Sequence, residues 1–162
     1  MSSINDEPPV AIIPYDEVRD YEEICKWWRL HKALPVPRII LPRGWIAVGS
    51  GLPMCVCFLY MDPGKLAMLE YMTTNPQIAL SRELLSAVKA LYVYMEDRAA
   101  EAGCVAILSM VKPGTSEERI LLKTGWATSD QDPHKMYAKP LRNQENWHPP
   151  VDGVLKECPS PL

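Results

Sequence analysis

The segment Gly44–Gly103 constrains the fold more than any other part of the chain. Three apolar runs of strand length, Gly44–Val48, Met54–Met61 and Lys65–Thr73, follow one another at meander spacing. Gly49-Ser50-Gly51 and Asp62-Pro63-Gly64 supply the turns between them. All three runs are apolar on both faces, which predicts a sheet covered on both sides. After Asn75-Pro76 comes the longest periodic element, a helix predicted from Ser81 to Ala102. Its stripe of Leu84, Val88, Leu91, Met95, Ala99 and Ala102 recurs in steps of three and four. Gly103 fits the left-handed position at which helices stop.

The flanks extend the pattern. Val10–Ile13 reads as a short strand ending at Pro14. Asp16 is the expected N-cap of a helix running to Leu30, with acidic residues early and Lys26, Arg29 and Lys32 late. Its apolar positions are Val18, Tyr21, Ile24, Cys25 and Trp28. Neighbours on a helix point about 100° apart, so Trp27 and Trp28 read as one surface and one core aromatic. Three prolines make Ala33–Arg43 a loop. Val105–Val111 is a further apolar strand, ended by Pro113-Gly114. Ser116–Lys123 is a short helix with Thr115 and Glu118 in capping-box positions. Glu117-Glu118-Arg119 reads as its solvated start. Gly125-Trp126 stops it, and His134–Lys139 is a last strand. Residues 1–9 read as a flexible start, 1–140 as one domain, and 141–162 as a proline-rich tail whose anchor is Trp147.

Composition removes several function classes. At 162 residues the chain has room for one domain. Its 17 basic and 20 acidic residues leave a formal charge of -3, which excludes a strongly basic nucleic-acid binder. No apolar run approaches the roughly 18 residues of a membrane span. The acidic N-terminus lacks the basic start and apolar core of a signal peptide. The expectation is a soluble cytoplasmic protein that does not engage membranes or nucleic acid in general. Five cysteines, an odd number without CxxC spacing, argue against a disulfide framework or a zinc site. Cys55 and Cys57, two apart on one strand, should share a face as small buried hydrophobes.

The order of elements, with three stretches in particular, resembles the GCN5-related N-acetyltransferase (GNAT) superfamily from about Val10 to Pro140. The stretches are the antiparallel run Gly44–Thr73, the strand–loop–helix unit Leu66–Gly103, and the unit Val105–Trp126. Lys123-Thr124-Gly125-Trp126 looks like the Lys-x-Gly-Phe ending usual in that family. The resemblance implies an α/β (α+β) fold: a mixed, mostly antiparallel sheet of about six or seven strands with helices on both faces. It implies acetyl-coenzyme A as co-substrate and an amine-bearing acceptor of unstated size. The strands Lys65–Thr73 and Val105–Val111 would be parallel neighbours that separate, with Tyr71, Met72 and Thr73 lending backbone to the cofactor.

Independently, the first amides of a helix lack internal partners and carry partial positive charge, so a loop entering the long helix can hold a pyrophosphate. In the family that loop reads Arg/Gln-x-x-Gly-x-Gly/Ala. Here it reads Gln77-Ile78-Ala79-Leu80-Ser81-Arg82. Gln77 fits, Leu80 stands where a glycine is expected, and Arg82 adds a charge. The loop should therefore differ in shape or bind more weakly.

Amide formation needs a base for the amine. Glu70, the only acidic residue in Leu66–Thr73, is the candidate, because burial would raise its pKa. The family's proton-donating tyrosine position falls on Leu121, which cannot donate. Tyr60, Tyr71, Tyr92, Tyr94 and Tyr137 remain, none singled out by spacing. Ser109 and Lys112 lie where acceptor-side or leaving-group contacts fall in the family. His31 and His134 read as solvated or capping. Two other readings stand beside the enzyme: a catalytically inactive GNAT-fold binding or regulatory protein, and an unrelated α/β interaction protein. Exposed strand edges are compatible with a homodimer.

Overall fold

The computed structural model describes residues 10–128 and the backbone of 135–140. The expectations for 1–9, His134, the 141–162 tail, Trp147 and Cys158 lie outside the described residues. The elements are β1 (Ala11–Pro14), α1 (Glu17–Leu30), a 3-10 turn (Arg38–Ile40), β2 (Arg43–Gly49), β3 (Leu52–Met61), β4 (Leu66–Thr74), α2 (Arg82–Glu101), β5 (Ala106–Val111), α3 (Ser116–Lys123), β6 (Ala127–Thr128) and β7 (Lys135–Pro140). β6 is too short to leave a sequence pattern. The 3-10 turn lies inside the segment read as a loop, and the other elements stand where the sequence puts them, to within a residue or two.

The seven strands form one sheet in the order β1-β2-β3-β4-β5-β7-β6. Only β4 and β5 pair in parallel, and α2 makes the crossover that a parallel pair requires. The β2–β3 hairpin closes through Ser50 and Gly51, with φ of 49° and 77°. Two consecutive positive φ values are the signature of the tight turn that matches strand twist.

Alternation along the strands builds two cores. Ala47, Cys55, Cys57 and Leu69 face α2 and α3, whereas Ile46, Val56 and Phe58 face α1. Cys55 and Cys57 thus share a face as expected, and both are buried free thiols. Burial pushes the Cys55 thiol up to about 12 and Cys57 well above its ordinary value, so neither is reactive.

Each helix start is capped as its sequence implies. Asp16 accepts from the Arg19 amide at 2.8 Å, Ser81 from Leu84 at 3.1 Å and Thr115 from Glu118 at 3.2 Å. The Glu118 carboxylate reaches back to the Gly114 amide at 2.6 Å. Gly103 and Gly125 end α2 and α3 with φ of 86° and 89°.

Two expectations for α1 are corrected. Trp27 and Trp28 are both buried, at 2% and 4% exposure. Trp27 can enter the core because its indole N–H finds Glu23 one turn back on the same helix, at 3.3 Å. Val18, read as part of the buried stripe, is 93% exposed on the first turn. Among the described residues no helix is long and apolar enough to cross a membrane.

Candidate active site at the parted strands

β4 and β5 do not stay together. Their register runs from Leu66↔Ala106 to Leu69↔Ser109 and stops there, although β4 continues to Thr74 and β5 to Val111. Beyond Leu69, β4 remains bonded to β3 on its other side. Its backbone groups on the β5 side are therefore left for another partner.

A β-bulge sits at the parting point. Phe58 pairs with Glu70, but Val56 pairs with Thr73, so β4 carries one extra residue. Tyr71 takes the strain, with φ of 56°. A bulky residue held there costs about 1–3 kcal/mol. Its ring is held edge-on by Phe58 at 6.5 Å and Tyr60 at 6.2 Å. The Cys57 thiol donates to the Glu70 carbonyl at 3.5 Å, on the inner side of the bulge.

Two clefts meet the parted strands. The first, of about 600 Å³, lies between the end of β4 (Met72, Thr73, Thr74), the following loop, α2 and the start of α3. It also reaches Trp28 of α1 and the residue capping that helix, His31. The second, of about 420 Å³, opens on the α1 face among Tyr60, Asp62, Met68, Glu70, Tyr71 and Met110. Glu70 stands in this second cleft, half-buried and without a hydrogen-bond or ion-pair partner among the described residues. Burial raises its pKa from the ordinary 4.5.

The loop before α2 keeps an open shape without glycine. No residue from Asn75 to Ser81 has positive φ. Asn75 organises the loop instead, donating to the Pro53 carbonyl and accepting from the Gln77 amide, each at 3.0 Å. Ile78 packs inward, while Leu80 is 71% exposed and stands at the wall of the first cleft without filling it. The amides of Ala79, Leu80, Arg82 and Glu83 make no hydrogen bond among the described residues. The Glu83 carboxylate is drawn off by the Ser50 hydroxyl at 2.6 Å, so it does not close over those amides. Arg82, Lys89 and Lys123 rim an adjoining depression of about 260 Å³ between α2 and α3.

The remaining expectations fall as follows. Ser109 is buried at the last pair before the gap. Lys112 is exposed. Tyr94 packs edge-on against Trp45, and the Tyr60 hydroxyl is spent on the Ile40 carbonyl at 2.5 Å. The Tyr137 side chain lies outside the described residues. His31 caps α1 as expected, but it also lines the first cleft and bonds the Thr74 carbonyl at 2.9 Å. Leu121 is fully buried in the core.

One expectation is overturned outright. Glu117 is not a solvated helix-start residue: it is partly buried and lines the first cleft. Its carboxylate accepts a hydrogen bond from the hydroxyl of Tyr92, a fully buried residue of α2. Burial raises the Glu117 pKa, the Glu70 charge adds to the rise, and the Tyr92 bond opposes it. Glu117 lies one turn before the buried Leu121, so in the folded chain both share the inward face of α3.

Comparison with known proteins bears on this geometry. No family model matches the chain, and no curated protein does. Solved structures do. A GNAT-family acetyltransferase of Staphylococcus aureus Mu50 matches with a TM-score of 0.62 over 83% of this chain and 100% of its own, at 15% identity. The chain has the GNAT fold. YncA of Salmonella typhimurium, solved with its cofactor acetyl-CoA, matches with a TM-score of 0.64 over 83% of this chain and 95% of its own, at 13% identity. Aminoglycoside 6'-acetyltransferase type Ii matches with a TM-score of 0.63 over 83% and 99%, at 14% identity. The GNAT fold accounts for the position of the parallel pair in this chain, and for the crossover helix whose start faces the gap.

Proposed function

We propose that the chain is an acyl-coenzyme A-dependent N-acetyltransferase that acetylates an amine by direct attack. The observation that carries this reading is the parting of β4 from β5, with an open cleft on one side and the unpartnered Glu70 carboxylate on the other. A neighbour of the same fold is solved with acetyl-CoA. Such a donor would supply an acyl group already activated as a thioester.

The first cleft suits an acyl-coenzyme A in size and donor pattern. The unpaired edge of β4 at Tyr71, Met72 and Thr73 offers backbone groups to an extended amide-bearing arm, as a sheet edge does to an added strand. The free amides from Ala79 to Glu83, within the loop Gln77-Ile78-Ala79-Leu80-Ser81-Arg82, face the place for a diphosphate, and the Arg82 side chain adds a cation. Glu70 takes the proton from the attacking amine. Its raised pKa brings it nearer the working range of a general base than an exposed glutamate. Ser109, beneath the gap, contributes a hydroxyl donor on the cofactor side. Asp62, Glu70 and two tyrosine rings around the second cleft favour a cationic amine over an acidic one.

A second reading has a specific observation behind it. Leu121 is apolar and closed off where the family would place a proton-donating tyrosine, which favours a module that binds without turnover. Calorimetry with acetyl-CoA, paired with thiol release over a panel of primary amines, separates the two. Heat and thiol release are expected. Heat without thiol release for any amine would leave the binding module, and no heat would remove both.

A further inference from the structure

Glu117 is a carboxyl group at a place where a carboxyl is costly. Its side chain reaches from the first turn of α3 into the larger cleft, which it shares with Thr73 of β4. One oxygen, Oε1, accepts from the Tyr92 hydroxyl. The other, Oε2, has no hydrogen-bond partner among the described residues. No ion pair among the described residues offsets the carboxylate charge. The groups that face it are Tyr92 from α2, Cys57 from β3 and Glu70 from β4, and none is a cation. His31 of α1 lines the same cleft but is bonded to the Thr74 carbonyl. Such surroundings favour the protonated acid. The Tyr92 bond then makes Oε1 the carbonyl oxygen and leaves Oε2 to carry the proton toward the cleft.

This arrangement bears on the weakest point of the acetyltransferase reading, on which the inference rests. One turn further along α3, Leu121 has nothing to donate. We propose that Glu117, held in place by Tyr92, is the catalytic acid that protonates the sulfur leaving the thioester. Glu117 gives its Oε2 proton to the sulfur as the amine nitrogen bonds to the acyl carbon and the carbon–sulfur bond breaks, its electron pair going to sulfur. The nitrogen's proton passes to Glu70. Glu117 is left as a carboxylate, stabilised by the Tyr92 hydroxyl, and regains a proton from solvent at the cleft mouth while Glu70 releases one. The two carboxyls thus stand on opposite sides of the gap with opposite tasks.

The test compares wild type, Glu117→Gln and Tyr92→Phe, with binding and turnover read separately. Calorimetry with coenzyme A and with desulfo-coenzyme A reports whether the carboxyl touches the sulfur. Wild type is expected to prefer coenzyme A, and Glu117→Gln to lose that preference while binding desulfo-coenzyme A as wild type does. In thiol release, Glu117→Gln is expected to lose at least about a hundredfold in kcat, the size of a general-acid effect, with KM for acetyl-CoA nearly constant. Tyr92→Phe removes the bond that stabilises the Glu117 carboxylate. The alkaline fall in kcat should then move to higher pH, a shift that mere loosening of the helix would not produce. Wild-type kcat and an unchanged sulfur preference in Glu117→Gln would overturn the proposal while leaving the acetyltransferase standing. Failure of the wild type to bind either coenzyme would overturn both.

Discussion

Two glutamates help to tie α3 to α2, and they do different things. Tyr92 and Glu96 lie one turn apart on α2, both buried. Glu96 accepts from the Trp126 indole at 2.8 Å, just beyond the end of α3. Tyr92 donates to Glu117, at the start of α3. At one end the carboxylate sits on the long helix and is shut in by a 3%-exposed tryptophan. At the other it sits on the short helix, and one of its oxygens is open to a cleft. A closed tie positions a helix. A half-open one can also exchange a proton. The polarity of the pair thus teaches more than its presence: which helix carries the acid decides which end is available for chemistry.

The comparison breaks most visibly at the closed end. Trp126→Ala removes a buried ring and strips Glu96 of its indole donor. A loss of about 3–5 kcal/mol in unfolding free energy is expected, read by urea denaturation. Trp126→Phe keeps most of the ring volume and loses the N–H, so about 1.5–3 kcal/mol is expected for this bond to a charged group. If Trp126→Phe instead cost nothing, the indole bond would be worth nothing and the closed tie would be packing alone.

The open end is probed through its neighbour across the gap. Glu70→Gln should lower kcat by about a hundredfold or more, the range for loss of a positioned base. The acid limb of its pH–rate profile should vanish. The Glu70 charge also raises the Glu117 pKa, so the alkaline limb should move to lower pH in this variant. An unchanged alkaline limb would mean that the two carboxyls do not sense each other.

Stability against pH separates the ends with a smaller signal. A carboxyl with raised folded pKa binds more protons in the folded than in the unfolded chain, between the ordinary 4.5 and its own value. Stability therefore falls as pH rises through that window and is level above it. Glu117→Gln should remove this part of the fall, giving a flatter curve than wild type as pH rises above the ordinary 4.5, by thermal denaturation. A wild-type slope retained in the variant would show that Glu117 is solvated after all.

Much of this was legible in the sequence, and the exceptions have physical reasons. The apolar runs, the stripe on α2 and the turn and cap residues define the order of the main elements, because each is a local signal. Glu70 stands out as the single acid in an apolar strand. Glu117 does not, because a helix start welcomes acidic residues whether they face water or core. With Glu117 and Glu118 adjacent on a helix of 8 residues, periodicity alone leaves the phase open. Tertiary contact sets it: Glu118 folds back on the Gly114 amide and Glu117 turns to Tyr92. The Gln77–Arg82 loop shows the same limit. Leu80 looks like an obstruction in the one-dimensional pattern, yet it lines the cleft wall, largely exposed, and leaves the cleft open.

Arg82 offers the mildest perturbation and a control on the same helix. It stands at the free end of α2, in the cationic depression with Lys89 and Lys123, away from both ties. An exposed arginine that pairs with a diphosphate contributes about 1 kcal/mol or less once water and salt screen it. Arg82→Ala should therefore weaken acetyl-CoA binding by only about three- to fivefold by calorimetry, more at low salt than at high. Unfolding free energy, the coenzyme A over desulfo-coenzyme A preference and both pH limbs should stay as in wild type. If instead Arg82→Ala altered the sulfur preference, diphosphate and sulfur recognition would be coupled through α2, and Tyr92, 10 positions further along that helix, would be the residue to carry it.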